Sequence, residues 1–207
     1  GGAQHPINVT TIDNSLRFNN SDSSFLSYQP GDNGDTQKMT YSGWIKRTNT
    51  SKYQMLLQAV DSQYDSIWIE PTNSKLQVIL GSTSTAIVKT NITFIDTSKW
   101  YHICVNVDTT QATDTDRIKI WVDGDLQTLD TSGGGYPTQN AVFAAWFKSN
   151  ITHRINFEGG STYGSGYFAE VHVAEGTTYD MDNFGQYGSN GYWIPKTVSG
   201  ITYGDEG

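Results

Sequence analysis

Two segments, SKWYHICVNVD (residues 98–108) and RIKIWVDGD (residues 117–125), predict the β-hairpin on which the fold is built. In both segments apolar and polar side chains alternate with a period of two, as in a strand that turns one face to a core. Asp108-Thr-Thr-Gln follows the first strand, and Asp123-Gly124 ends the second. These residue types favour turns, so the two strands are expected to pair in an antiparallel sheet.

The same alternation, interrupted by clusters of Gly, Asn, Asp, Ser and Thr, predicts about twelve strands along the chain. The clearest are residues 15–19, 24–28, 38–47, 54–60, 65–70, 75–80, 85–89, 100–108, 117–123, 153–158 and 166–174. Segments 31–37 and 130–140 are rich in Gly and polar residues and are predicted to be surface loops. A short helical turn is predicted at residues 180–184, with Asp180 as its candidate N-cap.

The composition favours an all-β protein independently of the strand pattern. Of the 207 residues, 21 are Gly, 12 are Tyr and 6 are Trp, and only 16% are charged. We predict one antiparallel β-sandwich of the jelly-roll type, with at most one or two short helical turns. The whole chain, 1–207, is taken as one domain, with the sandwich at about 12–180 and a C-terminal tail at 181–207. The single Cys104 leaves no intramolecular disulfide to stabilise the fold.

The hairpin resembles the central hairpin of concanavalin A-like, laminin G-like domains. The resemblance extends to residues 15–28, to Met39-Thr-Tyr-Ser-Gly-Trp-Ile-Lys-Arg47 and to the closing strand at residues 166–176. It implies an antiparallel sandwich that binds sugars or proteins, since only some branches of this fold are enzymes. The match to the family strands also implies core positions for Trp44 and Trp100.

The tail is similar to that of lectin-like modules in large virion proteins of tailed bacteriophages. The similarity lies in Asn183-Phe-Gly185 and Gly191-Tyr-Trp-Ile-Pro-Lys196, where Trp193 is expected to pack the tail. This resemblance implies a place on the particle surface, with host surface glycan and other virion subunits as partners and a homo-oligomer as one possible state. Because the chain starts without an initiator Met, we also expect it to be a piece of a longer protein with a further C-terminal module.

The charge excludes some classes of partner. The formal net charge is −8, which repels the phosphate backbone of nucleic acids and anionic lipid. No window approaches the roughly 20 consecutive apolar residues of a membrane-spanning helix, so neither nucleic-acid binding nor membrane insertion is expected.

Catalytic patterns are weak in this chain. Glucanases of this fold need two carboxylates about 5 Å apart on one strand face. The nearest pattern here is Glu170-Val-His-Val-Ala-Glu175, in which a five-residue separation puts the carboxylates on opposite faces of a regular strand. Glu170 and His172 share a face, but a hydrogen-bonded surface pair is the simpler interpretation. No Gly-x-Ser-x-Gly motif is present, and we expect no enzyme activity.

The chain contains residue types that bind zinc and residue types that bind calcium. His5, His102, His153 and His172 lack second ligands at zinc spacing, and one cysteine cannot complete a site. Calcium is held by loop carboxylates and carbonyl oxygens in many related sandwiches. The candidate clusters are Asp32, Asn33 and Asp35; Asp61 and Asp65, which are favoured; and Asp114 with Asp116. Each cluster is also ordinary turn chemistry, so calcium remains only a possible cofactor.

Sugar binding is suggested by two tryptophans on polar strand faces. In DSIWIE (65–70), Ile67 and Ile69 share one face and leave Trp68 with Ser66 and Glu70 on the other. In RIKIWV (117–122), Trp121 is left in the same way with Arg117 and Lys119. Trp and Tyr faces stack against pyranose rings, so Trp68 and Trp121 would form a platform if they lay on one sheet. The alternative is that other loops or strands cover them.

The complete set of candidate carbohydrate-binding residues joins the two strand faces to a second patch of loop residues. It consists of Trp68, Trp121, Tyr64, Glu70 and Lys119 with Tyr136, Asn140, Trp146 and Tyr163. We therefore expect a non-enzymatic adhesion module that binds host glycan. Two alternatives stay open: a structural virion module that contacts other subunits, and an accessory domain of a glycan-active enzyme.

Overall fold

The computed structural model describes residues 12–81, 86–159 and 162–207. His5 and the first position of the predicted strand 85–89 lie outside this part of the chain. The described residues form an antiparallel β-sandwich without an α-helix, which confirms the predicted fold class. They contain three single-turn 3-10 helices, Asn20–Asp22, Asp114–Asp116 and Met181–Asn183, one more turn than expected. No helix in the described ranges has the length and apolar character needed to cross a membrane.

One sheet of the sandwich has six strands, with the predicted central hairpin, now β8 and β9, inside it. In spatial order they are β1 (Leu16–Phe18), β15 (Gly166–Glu175), β3 (Lys38–Arg47), β8 (Tyr101–Asp108), β9 (Ile118–Val122) and β10 (Asp125–Leu126). In β8 and β9, Val105 lies directly opposite Ile120, and their alternate neighbours are equally buried in the core.

The opposite sheet has seven strands, and two small hairpins lie outside both sheets. Its strands, in spatial order, are β11 (Leu129–Gly135), β7 (Ala86–Thr90), β6 (Leu76–Leu80), β5 (Tyr64–Ile69), β4 (Gln54–Val60), β12 (His153–Ile155) and β2 (Leu26–Tyr28). The hairpins are β13 (Phe157–Gly159) with β14 (Thr162–Tyr163), and β16 (Gly185–Tyr187) with β17 (Trp193–Pro195).

A single hydrophobic core fills the space between the sheets, and part of it comes from a segment without regular structure. Residues 141–151 contribute the buried side chains of Phe143, Trp146 and Phe147. Asp65, buried on the core side of β5, fixes this segment in place. Its Oδ2 accepts hydrogen bonds from the backbone N–H groups of Ala145 (2.6 Å) and Trp146 (2.9 Å), and its Oδ1 accepts one from Gly81 (2.8 Å).

The C-terminal tail covers the outer face of the six-stranded sheet. The indole N–H of Trp193 donates to Nδ1 of the fully buried His102 (2.9 Å), and the two rings stack with centroids 5.8 Å apart. Because Nδ1 accepts, the ring proton lies on Nε2, which is 2.9 Å from Ser42 Oγ and donates to it. The expectation that Trp193 packs the tail is therefore confirmed, and β8 is buried on both faces.

Two tryptophans assigned to the core lie elsewhere. Trp44 is buried, but it lies on the outer face of β3, where its ring is 4.9 Å from that of His102. Trp100 is only half-buried, just before β8, and its ring is 6.2 Å from that of Tyr167. Trp44 is therefore buried as expected but in a second layer, outside the six-stranded sheet, whereas the core assignment of Trp100 is wrong because that side chain is half-buried at the start of β8.

Two predicted boundaries also need correction. The segment 130–140 is not entirely a loop, because its first half belongs to β11, which pairs with the edge of β7 across a register shift. Gly133 passes so close to Ile87 that an added Cβ would lie 3.1 Å from Ile87 Cγ2. The predicted strand 153–158 is broken at Asn156, whose left-handed φ of 67° divides it into β12 and β13.

At the predicted helical turn, Asp180 occupies the N-cap position without a side-chain hydrogen bond to the turn.

Replacing the buried carboxylate should loosen the irregular segment. In an Asp65→Asn variant one oxygen becomes an NH₂ group that faces a backbone N–H donor, and leaving such a donor unpaired costs about 1–3 kcal/mol. We expect urea denaturation to show a loss of about 2 kcal/mol in the free energy of unfolding. Asp61→Asn is the matched control, because Asp61 is exposed. Equal stability of the two variants would contradict this role for Asp65.

The tail contact should depend on pH through His102. Burial, with a smaller effect of His172, lowers the pKa of His102 from 6.5 to about 3. The unfolded chain therefore binds this proton first on acidification, so this histidine's contribution to stability is complete above about pH 6.5 and is lost as the pH falls toward 3. NMR titration of the folded protein should show no protonation of the His102 ring down to about pH 5. A midpoint near 6.5 would contradict the buried Trp193–His102 contact.

Candidate functional site

The outer face of the seven-stranded sheet carries the strongest candidate for a binding site. Burial of Ile67 and Ile69 on the core side of β5 directs Ser66, Trp68 and Glu70 outward, as predicted. Trp68 lies in a row that crosses the sheet through directly paired residues. The row runs Met55, Trp68, Gln77, Lys89 and Asp130, from β4 to β11.

Three half-buried aromatic side chains meet on this face. The ring centroid of Trp68 is 5.3 Å from that of Tyr53 and 6.1 Å from that of Tyr64. Tyr53 immediately precedes β4, and Tyr64 and Trp68 lie on β5. The pairing of β4 with β5 therefore positions all three rings. We call these three residues the aromatic cluster. Such a set of rings, open to solvent on one side, has the chemistry that stacks against a sugar ring.

The β13–β14 hairpin stands beside the aromatic cluster. Asn156 turns the chain out of β12 and holds the turn by donating to the carbonyl oxygens of Ser24 and Gly164. Phe157 and Tyr163 then stack across the hairpin with centroids 4.8 Å apart. The guanidinium of Arg154 lies 5.5 Å from the Phe157 ring centroid. Tyr163, one of the predicted residues, therefore packs within this hairpin and against Phe25, whose ring centroid is 6.2 Å away.

Amide groups adjoin the aromatic cluster. Gln58 is paired with Ser66, one row away from Trp68, and its amide is satisfied when its NH₂ donates to the carbonyl oxygens of Glu158 (2.6 Å) and Phe157 (3.3 Å). Gln77, only 4% exposed, is paired directly with Trp68. Among the described residues, neither Gln77 Nε2 nor Trp68 Nε1 has a hydrogen-bond partner. Both atoms have less than 1 Å² of accessible surface, as has the unpaired Nε1 of Trp146 in the core, so a ligand on this face would reach them only after a side-chain movement.

Charged groups of both signs lie on this face, because Glu70 is directly opposite Lys75, whose carbonyl oxygen accepts the Glu70 N–H at 3.2 Å. Burial, then the charges of Glu158 and Glu70, raise the pKa of Tyr53. Burial, then Glu158 and Tyr53, raise the pKa of Tyr64. The site thus combines aromatic faces, amides and carboxylates, and it includes the predicted residues Tyr64, Trp68 and Glu70.

Trp121 and Lys119 do not belong to this site. They lie on β9, and their outward side chains are on the outer face of the six-stranded sheet, where Lys119 pairs with Asp116 at 2.9 Å. The conditional prediction of one platform made by Trp68 and Trp121 is therefore wrong. Arg117, expected beside them, follows a 3-10 turn and donates to the carbonyl oxygens of Gln111, Ala112 and Pro137.

The predicted loop patch is also dispersed. Trp146 is fully buried in the core, so its placement in an exposed patch is wrong. Tyr136 lies at the opposite side edge of the sandwich from the β13–β14 hairpin, in a cleft of about 710 Å³ with Lys119, Asp114 and Asp116. Asn140 is exposed in a turn, where its carbonyl oxygen accepts from Gln37.

The calcium candidates do not form a ligand set. Both oxygens of Asp65 accept backbone N–H groups in the core, whereas Asp61 is exposed at the end of β4. Asp35 Oδ1 accepts the N–H groups of Gln37 and Lys38, and Asn33 Oδ1 accepts that of Ser149. No group of three or more His, Cys, Asp or Glu able to hold a metal ion occurs in the described ranges, which exclude His5.

The carboxylates of β15 are kept apart by a bulge. Glu170 is exposed, has a left-handed φ of 47°, and lies 3.7 Å from His172 Nε2. His172 Nδ1 is 2.7 Å from the hydroxyl of Tyr203. Glu175 is buried, and its Oε1 accepts the N–H of Asp205. This geometry agrees with the interpretation of Glu170 and His172 as a surface pair.

An apolar cleft of about 640 Å³ opens between β15 and the β2–β12 edge. Leu26, Ile155, Val171 and Val173 line it, and Tyr28, Tyr203 and Glu206 form its rim. Exposed Leu26 and Leu16 continue the apolar surface into an adjoining cleft. The rim carboxylate, that of Glu206, is occupied by the hydroxyl of Tyr28 at 2.7 Å and the N–H of Asp32 at 3.2 Å.

Three residues of the site were missed in the sequence. Tyr53 lies in a loop before β4, where no strand pattern separates inward from outward positions. Gln77 is an ordinary outward residue of β6, and Glu158 reaches the site only because Asn156 breaks the strand. A polar residue at an outward position beside Trp68 was the one available signal, and it points to Gln77.

The fold and this site together define a lectin-type antiparallel sandwich. The chain belongs to the concanavalin A-like lectin/glucanases superfamily, whose family model matches residues 19–183. No curated protein sequence matches the chain significantly.

Solved structures share the fold at low sequence identity. The native heptameric SAP-like pentraxin from Limulus polyphemus is 15% identical, with a TM-score of 0.52 over 82% of this chain and 74% of that chain. Domains LG4-5 of the mouse laminin α1 chain are 12% identical, with a TM-score of 0.53 over 95% of this chain and 48% of that chain. The CBM40 module of the Ruminococcus gnavus IT-sialidase, solved bound to α2,3 sialyllactose, is 11% identical, with a TM-score of 0.50 over 77% of this chain and 96% of that chain.

Proposed function

We propose that the protein is a non-enzymatic carbohydrate-binding and adhesion module. The observation that carries this proposal is the aromatic cluster, three half-buried rings with the carboxylate of Glu70 on the same sheet face. A sugar ring would stack on Trp68 and Tyr53, while its hydroxyl groups donate to Glu70. Membership of a lectin-type superfamily and the bound sialyllactose of the CBM40 module support the same class of ligand.

The biological setting that we propose is the surface of a tailed-bacteriophage particle, where the module attaches to host surface glycan. The similarity of residues 183–196 to the tails of phage lectin-like modules supports this setting. One stacked site binds weakly. Several copies of the module on one particle would increase the avidity by about 10²–10⁴-fold. Glu170 is exposed whereas Glu175 is buried, so the two carboxylates do not face one common cleft. This arrangement supports a binding rather than a catalytic role.

A second candidate function is a structural module that contacts other virion subunits. The apolar cleft between β15 and β2 favours it, because a contiguous apolar surface is typical of protein interfaces. The two candidates use different sides of the molecule, so variants can separate them.

A glycan array that includes bacterial surface polysaccharides tests the proposal, with and without calcium. Trp68→Ala should weaken binding by about 10-fold or more, since loss of one stacked ring costs about 1–2 kcal/mol. Trp121→Ala is the matched control, because it removes the same side chain from the opposite sheet and should leave binding unchanged. Thermal unfolding of both variants establishes that they are folded.

Two outcomes would contradict the sugar site. One is binding that Trp121→Ala abolishes and Trp68→Ala does not. The other is the absence of binding to any glycan by the folded protein. Self-association that Leu26→Asp removes would, in that second case, favour the structural module.

A further inference from the structure

The outer face of the six-stranded sheet carries a second pair of neighbouring aromatic side chains, Trp100 and Tyr167. Their ring centroids are 6.2 Å apart. The residues that follow them in the sequence, Tyr101 and Phe168, are buried in the core, so alternation turns Trp100 and Tyr167 outward. Both side chains are only half-buried. Rings that remain partly open to solvent on an outer sheet face are able to stack against the apolar face of a sugar.

Two cations flank Tyr167 in one row of this sheet. Arg17 of β1 is directly opposite Tyr167 on one side, and Lys46 of β3 is directly opposite it on the other. Side chains at directly opposite positions on one face have Cβ atoms about 4.5–5.5 Å apart. The guanidinium carbon of Arg17 lies 5.9 Å from the Tyr167 ring centroid. We call the four residues Arg17, Lys46, Trp100 and Tyr167 the basic platform.

The two cations of the basic platform are not neutralised by ion pairs. Within the described ranges, neither the Arg17 guanidinium nor the Lys46 ammonium has a carboxylate oxygen within 4.0 Å. Glu170, three residues after Tyr167, has its carboxylate 3.7 Å from His172 Nε2. Asp123, at the end of β9, pairs with Lys99 at 2.8 Å. The platform therefore keeps two positive charges in a chain whose net charge is −8.

An anionic group on a sugar matches this arrangement. The planar guanidinium of Arg17 donates two parallel hydrogen bonds to a carboxylate, sulfate or phosphate group, and the ammonium of Lys46 adds a further charged donor. Hydrogen bonds to an ionised group are about twice as strong as those between neutral groups. A neutral sugar on the same rings would gain the stacking but not these charged contacts, so the platform favours an acidic sugar.

We infer that the basic platform is a second binding site of this protein, and that it binds sugars that carry a carboxylate, sulfate or phosphate group. Arg17 and Lys46 hold the anion, while the pyranose ring stacks on Trp100 or Tyr167. This site lies on the opposite sheet from the aromatic cluster. It therefore goes beyond the proposed sugar site and does not depend on it.

The test compares glucose with glucuronate, glucose 6-sulfate and glucose 6-phosphate, each coupled through C1 to one carrier at equal density. At low salt, at least one acidic sugar should bind about 10-fold more tightly than glucose, because its anion gains charged hydrogen bonds. The ratio should fall as salt screens the charges. The acidic sugar with the highest ratio identifies which anion the platform prefers.

Variants locate the binding. The double variant Arg17→Gln, Lys46→Gln removes both charges, keeps side chains able to form hydrogen bonds, and should reduce the ratio to about 2-fold or less. Lys75→Gln with Lys119→Gln is the matched control, because it changes the net charge equally at two cations that already have ion-pair partners. This control and Trp68→Ala should both leave the ratio unchanged. Thermal unfolding establishes that each variant is folded.

The outcomes separate this inference from the proposed function. Binding of acidic sugars that Trp68→Ala does not affect and Trp100→Ala weakens would support the platform, even if neutral sugars do not bind at all. Equal binding of acidic and neutral sugars would overturn the platform and leave the aromatic cluster untouched. A preference for acidic sugars that survives Arg17→Gln, Lys46→Gln, or that the matched control also removes, would overturn it too. A preference that Trp68→Ala abolishes would place the anion at the aromatic cluster and overturn the second site.

Discussion

Alternation of side chains along β5 determines where the candidate site lies. Once Ile67 and Ile69 are committed to the core, Ser66, Trp68 and Glu70 have no place except the outer face. A shift of one residue in the register would bury Glu70 and Trp68 and expose both isoleucines, so the core fixes the site indirectly. Asp65, on the core side of the same strand, accepts two backbone hydrogen bonds that hold the irregular segment 141–151 beneath it and a third from Gly81.

The two outer faces of the sandwich are used differently. On the six-stranded sheet, Trp193 of the tail donates a hydrogen bond to His102. The tail thereby covers a polar strand face that would otherwise be exposed to solvent. On the seven-stranded sheet, the aromatic cluster remains half-exposed. Trp68 and Trp121 are both half-buried, but they lie on different sheets, and within the described part of the chain only Trp68 has neighbouring aromatic rings, those of Tyr53 and Tyr64.

Local pattern was sufficient for most strand positions but not for the pairing between distant strands. The bounds of β3 and β4 are those predicted, 38–47 and 54–60, because polar turn residues flank an apolar-rich segment in each case. Alternation shows that Trp68 and Trp121 point away from the core, but it carries no information about which sheet each strand joins. Trp146 and Tyr53 lie outside regular strands, where burial is decided by contacts with residues far away in the sequence. Glu158 depends on the left-handed Asn156, a local turn that interrupts an otherwise plausible strand.

The central claim is that a sugar occupies the face formed by Trp68, Tyr53 and Gln77. Chemical-shift mapping by NMR, with the tightest-binding oligosaccharide from the glycan array as the probe, tests it most directly. The account predicts that the indole N–H of Trp68 and the side-chain amide of Gln77 shift together on titration, while the indole N–H groups of Trp121 and Trp193 do not. Shifts confined to the apolar cleft around Leu26, or to the cleft around Tyr136, would contradict the account.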